Sequence, residues 1–468
     1  MRDKRHQVDM INGPIFSRMI CYALPILATS VLQLLYNAAD VAVVGKFAGE
    51  EALAAVGSTG SLVNLLVNFF VGLAVGVRVL VSRNYGAGNK RGISDTVHTA
   101  IPLGFICGAL LLLVGIAVSK PILVLMGSPA DVIDLSALYL KIYFLGTPAT
   151  LLLNFGTAIL GAAGDTRRPM YVMMASGIIN LGLNLLLVIL FHMSVAGVAI
   201  ATVVAQYFSA TAIITMLIRT EDHYKLDPKK LRIHWGRLRE IVAIGLPAGI
   251  QSTTFSFSNV IIQSSINSFG SLVMAGNAAA QNVEGLIFTG MDAFYQATMT
   301  FTGQNVGAKR GDRISRIYRS GAISVTVLAL ALGTLLHLFS NSILSIYTSD
   351  PAVLMYGSRR TATLFATFFL CGLQQTTVGM LRGMGHSLMP MVISIAGICG
   401  VRLVWIYLIT GLGLLDPAVT DSVVWIYYSY PITWIVTLVV HFICYSSAKR
   451  KLLTQFEGEK IKDVKENA

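Results

Sequence analysis

The sequence predicts an all-α integral membrane protein in which twelve transmembrane helices form two similar six-helix halves. Its composition, the placement of its basic residues and an internal repeat lead to this prediction. Only 12% of the 468 residues are charged and 54% are hydrophobic, whereas soluble domains carry about 25% charged residues. The mean hydropathy of +0.69 has the sign expected of a chain dissolved in lipid, so the composition excludes an ordinary soluble protein.

The apolar residues fall into separate runs, each long enough to cross a bilayer, which takes about 20 residues of helix. We place these spans at residues 15–45, 52–82, 94–118, 132–162, 169–191, 195–218, 239–268, 273–303, 316–340, 352–382, 390–412 and 420–447.

The basic residues test this assignment. On the side of the two termini, the loops and the adjoining ends of the spans contain 28 Lys and Arg residues, and the opposite side contains only Lys46 and Lys120. Positively charged loops stay in the cytoplasm. We therefore expect both termini, and the basic segment 219–238, to be cytoplasmic. The same distribution accounts for the net charge of +12 without any role in binding nucleic acid.

An internal repeat relates the two halves at a constant offset. N-Y-G-A-G-N-K-R-G-I-S at 84–94 corresponds to N-V-G-A-K-R-G-D-R-I-S at 305–315. Further along, and at the same offset, Gly164, Pro169 and Met170 correspond to Gly385, Pro390 and Met391. A shared offset across separate windows indicates a duplication.

The repeat predicts the domain organisation. We expect a first lobe at 1–218, a joining loop at 219–238, a second lobe at 239–447 and a cytoplasmic tail at 448–468. Because six spans is an even number, both lobes enter the membrane from the same side and are parallel repeats. Such lobes can move against each other around a central cavity.

Asp40 is the sharpest functional candidate, because a charged residue inside a span is costly and is rarely retained without a role. Gln33, Tyr36, Asn37 and Asp40 are spaced so that they share one helix face. The alternative is a purely structural hydrogen-bond cluster between helices. Pro25, early in the same span, and Pro247, its counterpart in the second half, are predicted hinges.

Other polar residues lie within the spans and could either line a cavity or join helices by hydrogen bonds. In the first half these are Tyr139, Asn154, Asn180, Asn184, Thr202 and Gln206, and in the second half Asn282, Glu284 and Asp292. Five glycines are predicted to permit close approach of helices and, in places, bending: Gly72, Gly76, Gly156, Gly161 and Gly285.

The sequence gives little support to an enzyme or an ATP-driven pump. It contains no G-x-x-x-x-G-K-[ST] segment and no C-x-x-C pair, and its eight histidines lack metal-ligand spacing. We expect no cofactor and a monomer whose partners are the lipid bilayer and small molecules.

The motifs in their order resemble the MATE (multidrug and toxic compound extrusion) family over residues 14–447. They are a first-span Pro followed by Y-N-x-x-D, the loops Y-G-A-G-N and N-V-G-A-K, and the paired G-x-x-x-x-P loops at 164–169 and 385–390.

The resemblance implies a V-shaped two-lobe fold that exports amphipathic, often cationic compounds in exchange for H⁺ or Na⁺. In the DinF-like branch an ion-coupling site is formed by residues that match Asp40, Asn180, position 184 and Thr202. That branch has Asp at the third of these positions, whereas this chain has Asn184. Loss of a charged oxygen ligand weakens the case for Na⁺, so we expect H⁺ to be the coupling ion.

The NorM-like branch places a Glu and an Asp where this chain has Phe255 and Cys371, so its second-lobe cation site is not expected here. A flippase of a lipid-linked precursor in a related fold is the alternative function. It would favour fourteen spans and several cationic residues along the cavity.

Overall fold

The computed structural model of the chain describes residues 6–125, 132–416 and 419–466. These residues form helices joined by short turns, with no β-strand among them. They separate into two compact units.

The first unit comprises the segment that ends at Asp9 together with Leu24–Gly249. It contains most of α1 (Ile15–Phe47), the first half of α8 (Trp235–Asn267), and between them α2 (Glu50–Gly86), α3 (Lys90–Leu125), α4 (Ile133–Leu145), α5 (Thr147–Ala162), α6 (Arg167–Asn184) and α7 (Ser194–Arg219). A π-helical turn, Leu185–Leu190, continues α6.

The second unit comprises Met10–Ala23 and the chain from Ile250 onward. Its helices after α8 are α9 (Ser271–Gly307), α10 (Gly311–Leu338), α11 (Ser340–Leu344), α12 (Pro351–Leu364), α13 (Phe368–Gly383), α14 (Leu388–Ser394), α15 (Val401–Gly411), α16 (Val424–Tyr427) and α17 (Ser429–Glu466). A second π-helical turn, Ile395–Gly400, joins α14 to α15.

The hydropathy of these helices supports a multi-pass membrane protein. Within the described residues, nine helices are long and apolar enough to cross a bilayer, and α4 with α5, bent by 45°, form a tenth span. The long helices α8 and α9, which are richer in Ser, Thr and Asn, complete twelve. The predicted all-α membrane fold of twelve spans is confirmed.

Each compact unit takes one segment from the other half of the sequence. The N-terminal segment of the second unit, Met10–Ala23, ends just before Pro25, and the first unit ends at Gly249, just after Pro247. Both α1 and α8 continue through their proline as one helix. Whether these prolines act as hinges stays a prediction.

Glycines bring α2 and the first half of α8 into close contact within the first unit. A Cβ atom added at Gly72 would lie 2.3 Å from the Cα of Gly249, and one added at Gly76 would lie 2.2 Å from the carbonyl oxygen of Ile241. Gly72 and Gly76, and likewise Gly245 and Gly249, form a G-x-x-x-G pair. Close approach at Gly72 and Gly76 is confirmed, but the prediction for Gly285 was wrong, because nothing lies within 4 Å of its added Cβ.

Candidate functional site

The first unit brings together four polar side chains that the sequence singled out. Asp40 comes from α1, Asn180 and Asn184 from α6, and Thr202 from α7. Asn180 and Asn184 face the same way because residues four apart lie one above the other on a helix. Residues from three helices therefore meet at one point.

These side chains form a closed ring of hydrogen bonds. Asn184 Nδ2 donates to Asp40 Oδ1 and also to Asn180 Oδ1, the latter at 3.3 Å. Asn180 Nδ2 donates to Thr202 Oγ1 at 3.4 Å, and Thr202 Oγ1 donates to Asp40 Oδ2 at 3.4 Å. Both carboxylate oxygens of Asp40 thus accept a hydrogen bond. A buried carboxylate requires such partners.

Three of the four side chains of the ring are buried, and Thr202 is partly exposed. Asp40 is 9% exposed, Asn180 6% and Asn184 0%. Within the described part of the chain, Asn184 Oδ1 is a buried oxygen without a hydrogen-bond partner. The ring therefore contains one carboxylate, Asp40, and one amide, Asn184, that donates to it. The oxygen of the same amide is an acceptor that no donor uses among the described residues.

Tyr36 reaches the neighbouring helix rather than the ring. Its hydroxyl donates to the carbonyl oxygen of Met173 on α6 at 3.0 Å. Gly177 makes room for the Tyr36 ring, since a Cβ there would lie 1.6 Å from Tyr36 Cζ. Gln33 and Asn37, on the same face of α1, have exposed side chains.

Tyr139 and Tyr143 on α4 lie within electrostatic range of Asp40. Their rings stack with centroids 6.1 Å apart, and Tyr139 belongs to a buried apolar cluster of the first unit. The sequence reasoning missed Tyr143, although its spacing of four residues from Tyr139 was a usable signal.

Asn154 donates to the carbonyl oxygen of Thr150, one turn earlier in its own helix, at 2.8 Å.

In the second unit, Glu284 is 1% exposed and forms an ion pair with Arg360, which is 2% exposed. Arg360 Nε donates to Glu284 Oε1 at 2.9 Å and Nη2 donates to Oε2 at 2.7 Å. Arg360 Nη1 donates to Asn277 Oδ1 at 2.9 Å. This bidentate pair has the geometry of a strong structural interaction, and the sequence reasoning did not single out Arg360.

Asn282 and Asp292, the remaining candidates of the second unit, are not among the hydrogen-bond partners of Glu284 and Arg360 in the described part of the chain. Gln296 Nε2 donates to Asp292 Oδ2 at 2.6 Å, one turn along α9. Asn282 has an exposed side chain. A transport role for Asn282, Glu284 or Asp292 stays a prediction.

Comparison with known proteins identifies the family. The MatE family model matches the chain twice, at residues 25–186 and 247–408. The chain belongs to the MATE family of membrane transporters. One match begins at Pro25 and the other at Pro247, which agrees with the duplication inferred from the repeat.

Relatives support the assignment over nearly the whole length. The chain is 28% identical to the probable multidrug resistance protein YoeA of Bacillus subtilis, covering 94% of this chain and 96% of that one. It is 25% identical to the probable multidrug resistance protein NorM of Thermotoga maritima, covering 83% and 84%. An outward-facing MATE transporter of the MOP superfamily has the same fold, with a TM-score of 0.86 at 21% identity over 93% of this chain and 96% of that chain.

Proposed function

We propose that this MATE transporter is a secondary active antiporter that exports amphipathic, cationic small molecules across the cell membrane in exchange for H⁺. The observation that carries the proposal is the buried ring around Asp40. Export of multiple drugs is supported by the names of the relatives, and proton coupling by the chemistry of the ring.

A proton needs only one carboxylate, whereas a hard cation such as Na⁺ prefers several charged or carbonyl oxygens. The ring supplies a single carboxylate, since Asn184 is neutral. No group of three or more His, Cys, Asp or Glu residues suited to a metal ion occurs in the described part of the chain.

Asn184 suits a proton cycle in a way that a second carboxylate would not. The charged form of Asp40 accepts a hydrogen bond from the Asn184 amide nitrogen. The protonated form needs an acceptor instead, and rotation of the amide would present Oδ1, which has no partner among the described residues. One side chain can therefore satisfy both protonation states.

Competition for the charge of Asp40 provides the coupling. The carboxylate attracts either a cationic substrate or a proton. Protonation from outside neutralises Asp40 and favours release of the substrate, and deprotonation toward the cytoplasm allows the next molecule to bind. The antiporter has both termini in the cytoplasm and works as a monomer.

The test is efflux of ethidium, an amphipathic cation, from proteoliposomes in which a pH gradient and a Na⁺ gradient are imposed separately. We expect the pH gradient alone to drive transport. Asp40→Asn, which mimics the protonated form, should lower the pH-driven rate by at least about tenfold, equivalent to about 1.4 kcal/mol. Asp134→Asn, which alters an exposed ion pair with Lys120, is the matched control and should transport normally.

Two results would overturn the proposal. One is transport that persists without a pH gradient and requires Na⁺. The other is an Asp40→Asn protein that transports at the wild-type rate with an unchanged pH dependence.

A further inference from the structure

The second unit contains a buried arginine whose charge is not balanced. Arg402 on α15 is 3% exposed. Its Nη1 donates to Ser258 Oγ at 2.9 Å, and its Cζ lies 4.5 Å from the centre of the Tyr430 ring. Its Nε is buried without a hydrogen-bond partner, and no carboxylate pairs with it among the described residues.

Arg360 shows what Arg402 lacks. The two guanidinium groups lie against the same ring, since the Cζ of Arg360 is 5.0 Å from the centre of Tyr430. The Nε–Nη2 edge of Arg360 holds the Glu284 carboxylate in a bidentate pair. The edge of Arg402 that carries Nε has no such acceptor among the described residues.

An arginine cannot relieve this imbalance by losing its proton, because its guanidinium stays charged in proteins. One hydrogen bond and one aromatic ring compensate only part of the cost of burying a cation. The Nε group of Arg402 can therefore still donate a hydrogen bond to an anion.

The position of Arg402 in the repeat points to a binding site. The offset that relates Pro169 to Pro390 places Arg402 opposite Leu181, which directly follows Asn180, a member of the ring around Asp40. A π-helical turn adjoins both places, since Leu185–Leu190 follows Asn184 directly and Ile395–Gly400 ends shortly before Arg402. Such turns occur frequently at functional sites.

The outer face of α15 separates this site from lipid. Val404 and Tyr407 are 67% and 83% exposed, whereas Arg402 points into the unit. Lipid therefore does not supply the missing anion through this face.

We propose that Arg402, with Ser258 and Tyr430, binds the carboxylate of a small organic anion. The guanidinium edge receives the two carboxylate oxygens, as the same edge of Arg360 receives Glu284. Tyr430 provides a flat surface beside the site. Ser258 fixes the guanidinium through Nη1 and leaves the Nε edge for the ligand. This site goes beyond the proposed proton-coupled export and does not depend on it, because binding can be measured without transport.

The test is thermal unfolding of the purified full chain in detergent with sodium benzoate as the probe. Benzamide has the same shape without the charge and controls for effects on the detergent. We expect benzoate to raise the unfolding temperature with a saturable dose response, and benzamide to leave it unchanged. Total sodium is held constant with sodium chloride.

Variants assign the effect to the site. Arg402→Gln should abolish the response to benzoate while unfolding, without ligand, no earlier than the wild type. Arg359→Gln, which alters a partly exposed arginine paired with Asp421, should respond like the wild type. Arg402→Lys keeps the charge but not the planar edge, and should weaken benzoate binding by about tenfold.

The proposal is wrong if the wild type does not respond to benzoate, or if Arg402→Gln responds as strongly. A carboxylate site would also be excluded if chloride, but not benzoate, raised the unfolding temperature and if that rise required Arg402. If Arg402→Gln cannot be purified, equilibrium binding of radiolabelled benzoate to Arg402→Lys and Arg359→Gln decides, because equal affinities would contradict the proposal. None of these outcomes bears on ethidium efflux, so the two proposals fail separately.

Discussion

At the scale of single residues, we expect the side chain at position 184 to determine which ion the ring can hold. Asn184 donates to Asp40, so the variant Asn184→Asp would place a second carboxylate within hydrogen-bonding reach of the first. Two carboxylates with the oxygens of Asn180 and Thr202 form a ligand set that suits Na⁺.

We therefore expect Na⁺ to stabilise Asn184→Asp but not the wild type. A ligand at ten times its Kd adds about 1.4 kcal/mol of stability. Thermal unfolding is followed as sodium chloride replaces choline chloride at constant ionic strength. Equal Na⁺ stabilisation of the wild type would contradict the reasoning about this position.

The buried ion pair of Glu284 and Arg360 leads to a prediction about stability. Removing one partner of a buried pair leaves an uncompensated charge and costs about 3–5 kcal/mol. Glu284→Gln should therefore lower the unfolding temperature strongly. Asp134→Asn breaks an exposed pair with side chains 57% and 78% exposed and should cost less than about 1 kcal/mol.

Replacing both partners tests whether the loss comes from the unpaired charge. The double variant Glu284→Gln with Arg360→Gln should recover part of the stability lost in Glu284→Gln. A stable Glu284→Gln protein that no longer transports would instead give Glu284 a direct part in transport.

At the scale of helices, the glycines let α2 approach the first half of α8 closely within the first unit. Gly76→Ala should destabilise the protein by about 1–3 kcal/mol, because its Cβ would overlap the backbone of α8. Gly60→Ala, in the same helix with nothing within 4 Å of the added Cβ, is the control. It should be neutral or slightly stabilising, since Ala favours helix over Gly by about 1 kcal/mol. Equal unfolding temperatures of the two variants would show that the close contact does not matter.

The helices could be predicted from the sequence because each one depends on a continuous hydrophobic run and on the charges of the loops beside it, which are properties of the local sequence. The resemblance to the family implied the grouping of the four residues that meet in the ring around Asp40, and their role in transport is still to be measured. The sequence did not predict that Met10–Ala23 packs with the second unit, since this depends on tertiary contacts. It passed over Arg360, because an arginine next to Arg359 and near the start of a span is typical of a side chain that reaches the membrane surface.

At the scale of the whole molecule, the two duplicated halves have diverged in charge. The first unit has a buried carboxylate, Asp40, held by neutral groups. The second unit has a paired carboxylate, Glu284, and buried arginines, Arg382 and Arg402, whose side-chain hydrogen bonds go to neutral groups. The two proposals together assign a response to cations to the first unit and a response to anions to the second.

The orientation in the membrane is the property of the whole chain that the basic residues predict most directly. Lys229 lies in the segment that joins α7 to α8, which the positive charges assign to the cytoplasm. Its side chain is exposed, and its backbone N–H donates to Asp227 Oδ1 at 3.1 Å. Lys120, which is 57% exposed, lies on the side predicted to face outward.

We expect a cysteine at Lys120 to react with a membrane-impermeant maleimide in intact cells, and a cysteine at Lys229 to react only after the cells are lysed. The five native cysteines are first replaced by serine or alanine so that each variant carries a single thiol. Both introduced thiols are on exposed positions, so a difference between them reports the side of the membrane rather than burial. Labelling of the Lys229 variant in intact cells, with protection of the Lys120 variant, would reverse the assigned orientation and place the site of proton release on the opposite face.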